Sequence, residues 1–182
     1  MVFLRLPCLI YENRLDLRSE IEKHLSQLIQ EFAESQNLEL DSIQGKWIRF
    51  TPKEWDDLAF QKTCDGWSES RRILLFESWN ESESLSLHLV IGPSDMQIKQ
   101  AIYQKLRALK VRGLKKCKVR DAGWNQVCVI KVLDYSDYGD SDLEELQEKI
   151  RTFWLNYINS DLNVIRNAIS EAFKKNTDES LP

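Results

Sequence analysis

Apolar residues recur along the chain with two different periods, and the changes of period mark out its elements. Ile21, Leu25, Leu28, Ile29 and Phe32 follow one another at three- and four-residue steps, so they line one stripe of a helix predicted from about Arg18 to Gln36. Ser19 with Glu22 reads as a capping box, each side chain satisfying an orphan amide of the first turn. The polar, turn-forming residues from Asn37 to Gly45 then read as a connector. Trp47-Ile48-Arg49-Phe50 is rich in strand formers, and Pro52, unable to donate to a ladder, ends it. A short helical turn is predicted from Lys53 to Phe60, with Trp55, Leu58 and Ala59 inward, followed by a loop from Cys64 to Arg72. Ile73-Leu74-Leu75-Phe76 has the form of a strand buried on both faces. Leu85, Leu87, Leu89 and Ile91 alternate with Ser84, Ser86, His88 and Val90, the period of a strand with one buried face. A short polar turn at Asn80–Glu83 joins these two as an antiparallel hairpin, with the strand near Trp47 in the same sheet.

Past the break at Gly92-Pro93 the helical period returns. Ser94 with Gln97 gives a second capping box, Ile98, Ala101, Ile102, Leu106 and Leu109 form the stripe, and Gly113 is placed to close the helix. Trp124 to Leu133 is apolar on both sides for much of its length, as a central strand would be. A turn at Asp134–Asp140 and a third box, Ser141 with Glu144, lead into a long helix from about Asp142 to Lys175, with Asn159-Ser160-Asp161 as a kink. The fold class predicted is α+β, in the order α-β-β-β-α-β-α. It consists of a mostly antiparallel sheet of about four strands packed with three main helices. Residues 1–176 form a single domain with an N-terminal helical arm, and 177–182 a disordered polar tail.

Composition narrows the setting. In 182 residues, 42% are hydrophobic and 30% charged, which excludes wholesale disorder and gives enough apolar surface for a core. Apolar runs are too short to cross a bilayer. The opening segment lacks the basic start of a signal peptide. Four dispersed cysteines without a C-x-x-C pair fit reduced thiols, so a cytoplasmic protein is expected.

A net charge of −4 disfavours a chain that binds polyanions over its whole surface, yet the charges are segregated. Lys105, Arg107, Lys110, Arg112, Lys115, Lys116, Lys118 and Arg120 occupy a stretch with no acidic residue, whereas Asp134–Glu148 holds seven acidic residues and no basic one. The basic run is the candidate nucleic-acid-binding patch, since cations that neutralise phosphates bind with little regard to sequence. It holds no aromatic residue to stack on bases, and the acidic segment could pair with it. Of six tryptophans, most are expected in the core. Trp67 and Trp79 lie in a loop and at a strand end, which makes them candidate partner-binding anchors.

Catalytic signatures are missing. His24 and His88 are far apart in sequence and in no metal-binding spacing, and His88 alternates away from the leucine face. The six glycines make no phosphate-cradling loop. The acidic-x-Lys arrangement of two-metal nucleases is not formed by Asp95, which opens a helix, or by Glu77, which Ser78-Trp79 follows. No complete catalytic or metal-binding motif and no cofactor is therefore expected.

Two blocks carry a resemblance: Gly45-Lys46-Trp47-Ile48-Arg49-Phe50-Thr51-Pro52-Lys53-Glu54-Trp55, and Gly66-Trp67 through Arg72–Glu77 to Leu85–Pro93. They resemble the C-terminal, non-catalytic region of bacterial proteins of the PD-(D/E)XK nuclease superfamily. In that family the residues that bear the chemistry precede this region, so the resemblance implies no catalytic residue here. It implies an accessory or regulatory module that binds a protein partner, such as a nuclease subunit, or a second copy of itself. The alternatives are a nucleic-acid-binding module using the basic patch, or a remnant metal-dependent nuclease.

Overall fold

The computed structural model describes residues 6–44, 47–81, 84–116 and 119–174, with side chains from Leu17 onward except at 139–140. Lys118, Cys117, the side chain of Cys8 and the C-terminal tail lie outside the described residues.

A long helix α1 (Leu6–Ser35) is followed by β1 (Leu38–Gln44), β2 (Trp47–Pro52), a 3-10 turn at Lys53–Asp57, β3 (Leu74–Glu81) and β4 (Ser84–Ile91). Then come α2 (Met96–Ala108), β5 (Asn125–Leu133), a short α3 (Tyr135–Asp140) and α4 (Leu143–Tyr157), which passes through a π turn at Ile158–Leu162 into α5 (Asn163–Phe173). The strands form one antiparallel sheet in the order β1-β2-β3-β4-β5, an α+β architecture. Its fifth strand is β1, which falls where the sequence reads as a connector. Its residues are polar because β1 is an edge strand with a bulge between Leu40 and Ser42. Asp41, at that bulge, accepts a bond from Arg72 Nη1 (3.2 Å), while Arg72 holds Asp56 through both oxygens (2.7 and 2.6 Å). A buried ionic tie of this kind leaves no trace in an apolar period.

One face of the sheet carries the core. Phe50 and Phe76 are cross-strand neighbours stacked at 5.3 Å, with Trp55 against Phe76 and Trp154 edge-on to Phe50 at 5.5 Å. Helix α1 lies along β1 and β3 and against α4, α4 reaches β5, and α2 packs on α5. Leu146, Ile150, Trp154, Ile158 and Leu162, all buried, follow at four-residue steps. Such a row drifts by about 40° per step on a helix of 3.6 residues per turn. The wider π turn, at the predicted kink, takes up the drift and returns Ile165 and Ile169 to the core.

Several predicted ends move. Helix α1 starts at Leu6, so Ser19 and Glu22 sit in its interior and cap nothing. Asp95 caps α2, Asp142 caps α4, and a capping box forms at Asp134 with Asp137. Lys110, at φ 52°, and not Gly113, takes the left-handed position after α2. Gly113 has another role: its carbonyl accepts from Val129 N (2.9 Å), and a Cβ there would lie 2.4 Å from Val129 O. Strand β5 is an edge strand and not a central one. Its free edge is partly occupied by residues 113–115, through the Leu114–Cys128 bridge and the Lys115 N to Val127 O bond (2.8 Å).

Truncating Phe76 to Ala removes the centre of the aromatic stack and is expected to cost about 3–5 kcal/mol. Leu155→Ala, at an exposed position, is expected to change stability by less than about 0.5 kcal/mol. Urea unfolding of both variants checks the contrast.

Candidate functional site on the outer sheet face

The sheet face turned away from α1 and α4 is lined by the alternate residues of each strand. Pairing sets Ser42, Arg49, Glu77, His88 and Val129 in one cross-strand row and Gln44, Trp47, Trp79, Ser86 and Lys131 in the next. Groups here are satisfied by one another. Arg49 Nε donates to Glu77 Oε1 (2.8 Å) and Trp79 Nε1 donates to Glu77 Oε2 (2.8 Å), so both oxygens of this buried carboxylate are engaged. Arg49 also stands 5.1 Å from the Trp67 ring and donates to the Trp67 carbonyl (3.3 Å).

His88 stacks flat beneath Trp79 with centroids 4.4 Å apart. Lys115 Nζ donates to Gln126 Oε1, which turns the Gln126 amide nitrogen toward His88 Nδ1. Nδ1 is therefore the acceptor, and Nε2–H donates to Ser86 Oγ (2.6 Å). In that polarity the imidazole cannot take a proton from Ser86, so the Ser–His contact is not a nucleophile with its base. Burial, with the Lys115 charge, pushes the His88 pKa down to about 4 and keeps the ring neutral.

Beside this face the loop 119–124 brings Trp124 to the basic run. Trp124 is the most exposed tryptophan, at 49%, and meets Trp79 edge-on at 6.4 Å. It shares a recess of about 460 Å³ with Lys115, Arg120 and Gln126. Lys115 also belongs to a second cleft of about 710 Å³ between α2 and Leu114, Lys116 and Val119, with Arg107 and Lys116 on its rim. The loop is fixed from below by Lys99. This residue is completely buried, and its ammonium donates to the carbonyls of Arg120 (3.3 Å), Asp121 (2.6 Å) and Gly123 (2.9 Å). Burial lowers the Lys99 pKa and the Asp121 charge opposes that, while three carbonyl acceptors use all three ammonium protons. Asn125 adds a reciprocal pair with the Arg120 backbone (2.7 and 3.1 Å).

The predicted basic residues thus separate. Arg107, Lys115, Lys116 and Arg120 are exposed around the two clefts. Lys105 is half-buried on α2 and Lys110 is exposed just past its end. Arg112 faces away, 5.9 Å from Phe153, in a hollow with Glu145 and Glu148. Among the described residues none of these seven cations forms an ion pair within 4.0 Å. The acidic segment instead pairs locally, Asp134 with Lys131 and both Asp137 and Glu145 with Lys149. Trp67 and Trp79 are each half-buried, and Gly92 has no room for a Cβ because Trp67 Cε3 would lie 2.3 Å from it. Sequence reasoning missed Trp124, four residues beyond the basic run and read as part of a strand.

Asp95 is engaged as the α2 cap, and among the described residues no group of three His, Cys, Asp or Glu could hold a metal ion. Among them, too, no helix is long and apolar enough to cross a membrane. No family model, curated protein or solved structure matches the chain, so the resemblance to nuclease-superfamily proteins gains no support from these comparisons.

Lys99→Met leaves three carbonyls without their donor and is expected to cost about 3 kcal/mol. It should also speed tryptic cleavage after Arg120, as followed by limited proteolysis. His88 supplies a pH signature. With its folded pKa below the ordinary 6.5, the unfolded chain binds the extra proton, so its contribution is complete above pH 6.5 and is lost as pH falls toward 4. The full shift corresponds to about 3 kcal/mol. Denaturation midpoints measured across this window should decline in the wild type more steeply than in His88→Gln.

Proposed function

We propose that this protein is a nucleic-acid-binding module that takes single-stranded chains on the surface formed by Trp124 and the basic loop. The observation that carries the reading is the recess where an exposed indole stands beside Lys115 and Arg120, cations with no acidic partner among the described residues. Aromatic stacking with phosphate neutralisation is the chemistry by which proteins hold unpaired nucleotides, because every base has a π-face and every linkage a charge. A duplex hides its base faces and would meet only the cations.

The alternative, an accessory or regulatory module for a protein partner or for a second copy, would use Trp67 and Trp79 as anchors. It is less favoured, because Trp67 is held against Gly92 and Arg49, and Trp79 lies among Trp47, His88 and Trp124. A remnant metal-dependent nuclease would need a ligand set that the described carboxylates do not form.

Fluorescence anisotropy with a labelled single strand of about 12 nucleotides at about 50 mM salt tests the reading. Affinity should fall as salt rises, with a log–log slope near −2 if about three phosphates are neutralised. Trp124→Ala should weaken binding between about fivefold and a hundredfold. Lys115→Ala with Lys116→Ala should flatten the slope. Absence of binding at low salt overturns the proposal, and growth in mass with concentration by light scattering would then favour self-association.

A further inference from the structure

We propose that the cleft beside α2 reads base edges and gives this surface a preference for adenine, an inference that rests on the single-strand reading above. The cleft of about 710 Å³ is lined by Gln100, Tyr103, Gln104 and Arg107 from α2, facing Lys115 and Lys116. Because Lys115 belongs to both hollows, a strand stacked on Trp124 continues into this cleft without leaving the positive rim. From Met96 to Arg107 the helix runs about 16 Å. That is several times the ~3.4 Å rise per nucleotide of a stacked strand, so more than the stacked base is covered.

Two features make this cleft a reader and not merely an electrostatic groove. Gln100 and Gln104 are one helical turn apart, so their side chains rise from the same face about 5–6 Å from each other. Both are exposed, and neither amide is engaged by a hydrogen bond to a described residue. The floor between them is fixed by Tyr103, which is buried with its hydroxyl donating to the Lys115 carbonyl (2.8 Å). A carboxamide offers one donor and one acceptor side by side. Adenine presents the matching pair on two edges, N6 with N7 and N6 with N1, so two adjacent amides can hold one adenine at once. Guanine offers two acceptors on its N7 edge, and the pyrimidines have no N7 edge at all.

The experiment compares oligo-dA and oligo-dT of about 12 nucleotides by anisotropy for wild type, Q100L/Q104L and Trp124→Ala. Wild type should bind oligo-dA about tenfold more tightly, the effect of one good bidentate contact. In Q100L/Q104L that ratio should fall to near one through loss of oligo-dA affinity. Taking the ratio between proteins cancels the self-stacking of the free strand. Trp124→Ala should weaken both oligomers alike and keep the ratio. A wild-type ratio near one, or a preference that survives in Q100L/Q104L, overturns the base-reading cleft and leaves the single-strand reading standing. Failure of both oligomers to bind wild type overturns the two together.

Discussion

The stack of Phe50, Phe76, Trp55 and Trp154 holds the helical layer to one face of the sheet, and the character of the other face follows from it. With α1 and α4 on the core side, the residues that alternate outward have no apolar layer to meet and must satisfy one another. Arg49, Glu77 and Trp79 do so by charge-assisted hydrogen bonds, and His88 does so between Gln126 and Ser86 beneath an indole. Glu77 and His88 are the residues a search for catalysis would select. Here one is ion-paired with a guanidinium and accepts a ring N–H, and the other is desolvated and held as a donor to serine. Both belong to the scaffold of a surface.

How much of this was legible follows the range of the forces involved. The period-two run of β4, the apolar run of β3 and the stripes of α1, α2 and α4 are local patterns, and they gave the α+β class and the order of most elements. The turn-forming Asn159-Ser160-Asp161 marked the place where the last helix departs from α geometry. Strand β1 was missed because a polar, bulged edge strand carries no apolar period, and the ion pair that ties it down comes from Arg72, about thirty residues away. The limits of α1 were misjudged because Ser19 and Glu22 satisfy the motif of a helix start equally well in its interior. Strand β5 was placed centrally because burial on both sides does not reveal which strand edge is paired. In each case a contact distant in sequence decided the outcome.

The candidate surface divides in the same way. Its cations were visible as an uninterrupted basic run, but their partner aromatic was not. Trp124 reaches them only because Lys99, more than twenty residues earlier on α2, gathers the carbonyls of the intervening loop. In the sequence that lysine stands outside both the apolar stripe of its helix and the basic run. Its complete burial turns it into the pin that sets an indole beside Lys115 and Arg120 on a chain whose net charge is −4.

The pairing of residues 113–115 with part of the β5 edge bears on the entropy of recognition. A basic loop that hung free would have to freeze its backbone on meeting a ligand, at about 1–2 kcal/mol for each residue fixed. Here the main chain that carries Lys115 is already bonded to β5, and Gly113 lets it approach that closely. Only the ends of long side chains remain to be ordered. The backbone that carries Lys115 is pre-organised, held by the same hydrogen bonds that cover part of the sheet's edge.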